Sequence, residues 1–485
     1  MVNAVEADAG MVKSACDSRN MKRKKLFRCM PVFVALCVLF EGVFFMAITK
    51  PGHVPDVWAH VYRIDSILNG DMIARPVTSR SMLHNTAAGV VGGAVDRSWM
   101  RYSLEQYDGY DPTVVISDTV AEDKSSATVD LPFNNTATNS PIVYAPQLSG
   151  FALGRLFGLG PGATYRLAEA CMLIVYALIM FCSVRALPKW RIPIGLLLCV
   201  PQMLRFASFS ISADSFTQAM VILFSCLLFR EIVGRRSRRN AIMLAVAGVV
   251  LAMCKFVYMP LVLLVVPLMF DRVAGRWRVN RAQAAPLSAC VVLSGGWIMF
   301  WLSANGWYTN CPMLVSYEQM SERKHALLTD PAAISEVVRN IVWSIAHAQS
   351  NMNNRNGSIG IAACWLAIMI SVIMLAAASM LKIIARSRRH VARPTDDSKD
   401  MCDRFSLPYA WLIIALCVGD VLLIYLALWL QYDADGVIGV DGIQYRYFLP
   451  YAPLFTFVML ESGKRLLNGS FRNRHALNSA SINAV

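Results

Sequence analysis

Apolar runs close to 20 residues long recur from one end of the chain to the other. That is the length of an α-helix crossing the hydrocarbon core of a bilayer. A chain with many such runs is constrained to bury its backbone hydrogen bonds inside helices, so the sequence predicts an all-α polytopic membrane protein. Composition agrees: 56% of residues are hydrophobic and 16% charged, where a soluble chain carries about 25% charged residues.

Ten segments read as crossings: 29–49, 165–187, 192–209, 213–233, 240–254, 256–270, 284–304, 359–384, 405–430 and 445–462. The pairs 192–209/213–233 and 240–254/256–270 read as tight helical hairpins. No small-residue cleavage pattern follows the first run, so it reads as an uncleaved helix. The thirteen cysteines are mostly scattered singly through apolar runs, without metal-type spacing, and read as small buried side chains.

The formal charge of +14 invites a nucleic-acid partner, but its distribution argues against one. Basic residues group in short segments between apolar runs: Lys22–Lys25 with Arg28, Arg235–Arg239, Arg272–Arg281, Arg386–Arg393, and Lys464 with Arg465. Such grouping is the signature of cytoplasmic loops. It predicts cytoplasmic tails at 1–28 and 466–485 around a membrane domain at 29–465. The outer loops are then 50–164, 305–358 and 431–444. Segment 141–160 would invert every later loop if it crossed; with its Pro and Gly content it reads as an interfacial helix. Stretch 331–348 reads as an amphipathic surface helix.

Several constellations could carry chemistry. Asp56, His60 and Arg63 follow the first crossing, at a lipid–water boundary. In a helix starting at Val57, Asp56 takes the N-cap position and the other two lie four and seven residues on, along one face. One reading makes Asp56 a general base or metal ligand and His60 or Arg63 a phosphate binder. The other makes the group a helix cap with interfacial anchors, Trp58 and Tyr62 included. Lys255 and Tyr258 fall at the outer end of a predicted hairpin, where a lysine either binds phosphate or snorkels to headgroups. Gln444-Tyr445-Arg446-Tyr447 opens the last crossing. A cation there opposes both the helix dipole and the charge rule, which favours an anionic partner. Asp214 reads as the cap of the following helix. Asp108 and Asp111 lie among tyrosines in the first outer loop. Glu41, Arg205 and Asp420 fall inside predicted crossings, where each needs a partner.

The chain has no Walker A loop, dinucleotide-binding glycine fingerprint, GxSxG elbow or HExxH. ATP-driven transport and soluble nucleotide-sugar chemistry are therefore unsupported, and a glycosyl donor would have to arrive in lipid-linked form.

Pro55-Asp56-Val57-Trp58-Ala59-His60-Val61-Tyr62-Arg63 resembles the first-loop signature Pro-Asp-Glu-x-x-His-x-x-Arg of domain-of-unknown-function family 2142, predicted bacterial membrane proteins. Tyr144-Ala145-Pro146, Ser208 through Asp214, Lys255 through Tyr258, and Gln444 through Pro450 resemble further landmarks in the same order. The likeness covers roughly residues 30–462. The family is itself similar to the GT-C integral-membrane glycosyltransferases, which use polyprenyl-phosphate sugars. The resemblance implies a GT-C-like fold in a bacterial cell membrane and a role in envelope polysaccharide or glycoconjugate synthesis. It implies Asp56 as general base, and His60, Arg63, Lys255, Tyr258, Gln444, Arg446 and Tyr447 around a lipid-linked sugar donor. Asp108, Asp111 and Asp214 are additional candidates. Two positions depart from the pattern. Val57 replaces the usual Glu, so a divalent metal would lack that ligand; no cofactor is otherwise expected. Tyr445 replaces a usual Gly, which narrows the site. A transporter or flippase of a lipid-linked saccharide would bind the same phosphate without needing a base. A non-catalytic envelope assembly protein would need neither.

Overall fold

The computed structural model describes residues 2–77, 91–106, 127–234, 236–273, 276–305, 315, 317–350, 355–389, 406–433 and 436–482. Among the described residues, six helices are long and apolar enough to cross a membrane: Lys24–Ile48, Pro161–Ala186, Ala213–Val233, Arg281–Ala304, Arg355–Ile384 and Leu407–Tyr432. The protein is membrane-embedded.

Six is fewer than the ten crossings expected, and the remaining four apolar runs show why. Run 192–209 breaks into Arg191–Leu198 and Pro201–Leu204, because Pro201 has no N–H to continue the first piece. Run 240–254 is a 17-residue helix, Arg238–Cys254, about 25 Å long at 1.5 Å per residue. Run 256–270 is a 14-residue 3-10 helix, Phe256–Met269, with Pro260 and Pro267 inside it. Its tighter winding gives roughly 28 Å at about 2.0 Å per residue. The last run opens with two 3-10 turns, Tyr445–Tyr447 and Leu449–Tyr451, before helix Ala452–Ile482.

Helix Pro161–Ala186 packs against the first helix, against Ala145–Leu156 and against Ala213–Val233. Helix Ala145–Leu156, inside the expected interfacial segment, has 12 residues and is too short to span. It meets its neighbour through Gly150 and Gly154, a small-xxx-small pair. A Cβ on Gly150 would lie 2.5 Å from the Ala168 Cα, and one on Gly154 would lie 2.4 Å from the Thr164 Oγ1.

The described residues that follow the first helix form a folded cap. Helix Val57–Leu68 sits on a three-stranded antiparallel sheet that the sequence reading did not anticipate: β1 (Arg75–Pro76), β2 (Val91–Asp96) and β3 (Thr128–Pro132). In its register Gly92 faces Pro132 and Asp96 faces Thr128. Asp65 is fully buried beneath it, accepting from the Asp96 N–H at 2.7 Å and from Arg155 at 2.7 Å. That pair ties the cap to helix Ala145–Leu156.

Helix Pro331–Ala346 falls within the stretch 331–348 that was expected to be helical. Ile334, Val338 and Val342, at i+4 spacing, are its exposed face, while Asn340 and Ser344 are buried. The buried polar pair accepts the Gly439 and Val440 N–H groups and so ties the segment around 439–440 to this helix.

Candidate functional site

Asp56 precedes helix Val57–Leu68 as expected, but its side chain does not cap it. Its backbone is left-handed, at φ 60° and ψ 11°, a conformation that an Asp tolerates at a cost. The carboxylate, 41% exposed, instead accepts from Asn135 Nδ2 at 3.2 Å and pairs with Arg446 Nη2 at 3.5 Å. The neighbouring Val57 side chain turns into the core, 2% exposed. The residue that departs from the family signature is thus a packing residue.

Arg446 joins two carboxylates. Its Nε lies 3.5 Å from Asp214 Oδ2, and Asp214 Oδ1 also pairs with Lys255 Nζ. Asp56, Arg446, Asp214 and Lys255 therefore form one alternating chain of charge, brought from four distant segments. Asp214 is not the helix cap it was expected to be. Ser212 takes that role, its Oγ accepting from the Asp214 N–H at 3.1 Å, which frees the Asp214 carboxylate for the cations. Burial works against the Arg446 charge, but Asp214, Tyr447 and Asp56 more than offset it, so the guanidinium is held protonated above its ordinary range.

His60 lies beside this chain. It is buried, with Nδ1 2.7 Å from the Tyr144 hydroxyl and Nε2 3.3 Å from Ser212 Oγ. Asn139 Nδ2 donates to the same Tyr144 hydroxyl at 3.0 Å. Burial pushes the His60 pKa down to about 4, so the ring is neutral near pH 7.

Arg63 is not brought to the cluster. It is fully buried, donating to the Asp71 and Met72 carbonyls at 2.8 and 2.7 Å, with Phe133 under its guanidinium. It is a strut between the helix and the turn that follows it, and the side chains of Asp56, His60 and Arg63 do not converge on one site. Trp58 and Tyr62 are buried too, not interfacial: Trp58 packs on Tyr102 and Tyr165, and Tyr62 bonds Ser103. Asp108 and Asp111 lie outside the described residues.

Two hollows flank the charged chain. An apolar cavity of about 560 Å³ is lined by Lys255, Tyr258, Tyr447, Trp297, Trp301 and Leu426 among others. Its rim is pinned where Trp301 Nε1 donates to the Thr138 carbonyl at 2.7 Å and Ser140 Oγ donates to the Met253 carbonyl at 2.5 Å. A small pocket of about 20 Å³ with a mixed lining lies on the side of Asp214, Gln218, Tyr445 and Arg446, enough for about one water. Tyr258 lines both hollows and packs on Tyr451. The Tyr447 ring lies under the Arg446 guanidinium, 5.5 Å away, and the Gln444 carbonyl accepts from the Tyr447 N–H at 3.1 Å. Tyr445 narrows the small pocket, and Gly360 makes room for it: a Cβ there would sit 2.9 Å from the Tyr445 ring.

The sequence segments quoted as landmarks, more than 380 residues apart at their extremes, thus meet at one place. The family model for predicted membrane proteins, DUF2142, matches residues 39–455, most of the chain. The chain belongs to the DUF2142 family. No curated protein and no solved structure matches it. The matched DUF2142 region holds every residue of the charged chain. Asn135 and Asn139 are the members that sequence reasoning missed, and Ser212 stood within the quoted stretch 208–214 without a role. Their only signal was proximity to quoted segments, since a hydroxyl or amide beside a histidine has no spacing rule.

The three ionisable residues inside predicted crossings each have a separate setting. Asp420 accepts from the Tyr451 hydroxyl at 3.5 Å, the Arg205 guanidinium stacks on Phe206, and Glu41 keeps one buried oxygen without a hydrogen bond. Among the described residues, no group of three His, Cys, Asp or Glu side chains is placed to hold a metal ion.

Proposed function

We propose that this protein is an outer-face glycosyltransferase whose donor is a sugar carried on polyprenyl phosphate. The observation that carries the reading is the charged chain's position. At one end is the accessible Asp56 carboxylate; at the other, Lys255 lines a large apolar cavity. A water-soluble acceptor and a lipid-borne donor need access of these two kinds.

In this reading Asp56 takes the proton of an acceptor hydroxyl as its oxygen attacks the anomeric carbon. The bond from that carbon to the phosphate oxygen breaks, and polyprenyl phosphate leaves with the electron pair. Lys255 and Arg446 hold the phosphate as its charge grows, exchanging Asp214 for it. A single displacement inverts the anomeric centre. His60, neutral, and Tyr144 keep the floor of the site rigid. The topology that goes with it has both termini cytoplasmic and the folded cap outside, by the distribution of basic residues. A carrier of the same lipid would want its ionisable residues gathered at mid-membrane; Glu41, Arg205 and Asp420 sit in separate settings instead.

Transfer from a polyprenyl-phosphate sugar to an envelope acceptor tests the reading. Asp56→Asn keeps the shape and removes the base. It should lower transfer by at least about 100-fold while donor binding persists, and Lys255→Ala should weaken polyprenyl-phosphate binding. Undiminished transfer by Asp56→Asn overturns the reading.

A further inference from the structure

The 3-10 helix Phe256–Met269 and the membrane helix Arg281–Ala304 are joined by an antiparallel β-hairpin, β4 (Phe270–Val273) and β5 (Arg276–Val279). Its register pairs Phe270 with Val279 and Asp271 with Arg278. Cross-strand partners share a face, and faces alternate along each strand. One face therefore carries Phe270, Trp277 and Val279, which are 37%, 69% and 59% exposed. The other carries Asp271, Arg276 and Arg278.

Asp271 is the hairpin's one acidic residue, and it is already engaged. It pairs with Arg236 at 2.5 Å and accepts from Asn280 Nδ2 at 2.8 Å. Asn280 also caps helix Arg281–Ala304, accepting from the Ala282 N–H. Gln283 of that helix donates to the Ser237 carbonyl, which holds the start of helix Arg238–Cys254 against the hairpin. Arg238, Arg239, Arg276, Arg278 and Arg281 are all exposed around this corner.

We propose that this hairpin is a docking surface for anionic phospholipid headgroups, with Trp277 seated in the headgroup layer. Three observations select that occupant. The hairpin opens directly into a membrane helix, so it lies at the bilayer boundary. Its outward side chains pair arginine guanidiniums, which fork onto phosphate, with an exposed indole and aliphatic residues, the combination suited to an interface. Its single carboxylate, on the same face as Arg276 and Arg278, is neutralised by its pair with Arg236, so the hairpin corner keeps a net positive charge toward an anionic ligand. The proposal is independent of the glycosyltransferase reading, because neither Asp56 nor the cavity contributes to it.

Purified protein in mixed micelles, titrated separately with dansyl-labelled phosphatidylglycerol and phosphatidylcholine, tests it by tryptophan-to-dansyl energy transfer. Phosphatidylglycerol should half-saturate at several-fold lower mole fraction, and salt should erase the difference. The Arg276→Gln/Arg278→Gln double variant should raise that half-saturation about fivefold for each arginine removed and leave phosphatidylcholine unaffected. Arg276→Lys/Arg278→Lys, which keeps the charge, should retain the preference and controls for folding. Trp277→Phe should remove part of the transfer to phosphatidylglycerol alone. Equal response to the two lipids overturns the proposal, as does a preference surviving the glutamine pair. Displacement of phosphatidylglycerol by polyglutamate at equal charge would also overturn it, reassigning the face to a soluble acidic partner.

Discussion

Asp56 illustrates what a single residue contributes here. An Asp before a helix ordinarily caps it, yet its left-handed backbone and its bonds to Asn135 and Arg446 withdraw the carboxylate from that duty. Backbone strain of about 1–3 kcal/mol at such a position survives only where the surroundings over-determine it. His60 offers a second test at this scale. Burial lowers its pKa to about 4 from an ordinary 6.5, so the fold favours the neutral ring. The stabilisation is complete above about pH 6.5 and is lost as pH falls toward 4. It amounts to about 3 kcal/mol at most. Thermal unfolding between pH 7.5 and 4.5 should show the wild type losing more stability on acidification than His60→Gln; parallel curves would contradict a buried neutral histidine. The segment 55–63 was legible as a site in the sequence, but Arg63 was not legible as a strut. Spacing on a helix places a side chain on a face and says nothing of which carbonyls wait there.

Among the elements, helix Ala145–Leu156 shows how a short segment is held without spanning. Its Gly150 and Gly154 allow the close approach to Ala168 and Thr164 on helix Pro161–Ala186. Without a large hydrophobic drive between apolar helices in lipid, such contacts carry the packing. Gly150→Val should therefore destabilise the protein by about 1–3 kcal/mol, read as a lowered unfolding midpoint in detergent; an unchanged midpoint would mean the two helices can part without cost. Because Arg155 on this helix clamps Asp65, the same variant loosens the cap that carries Asp56. Pro and Gly in the sequence marked this segment as unlike a crossing. The partner of its glycine face became visible only with helix Pro161–Ala186 beside it.

For the molecule as a whole, the site depends on bringing together the ends of several elements that are distant in sequence. The cavity between Lys255, Tyr447 and the Trp297–Trp301 pair is a property of that assembly. Ala427 lines it from helix Leu407–Tyr432. Under the proposed function, Ala427→Phe should reduce transfer from a full-length polyprenyl donor about tenfold, a cost of about 1.4 kcal/mol. A donor with a short prenyl tail should be spared. Equal losses for both donors would place the lipid elsewhere.

Hydrophobic run length determined, without coordinates, that the chain is a helical membrane protein, and the grouping of basic residues gave the expectation of which loops are cytoplasmic. Both are local properties, read within a window of about 20 residues. The number of helices long enough to cross was less legible, because prolines divert some apolar runs into broken or 3-10 segments. What joins Asp56 to Arg446, and Asp214 to Lys255, was decided by tertiary structure alone. Such ion pairs link segments up to 390 positions apart, and no periodicity in a sequence encodes a contact over that distance.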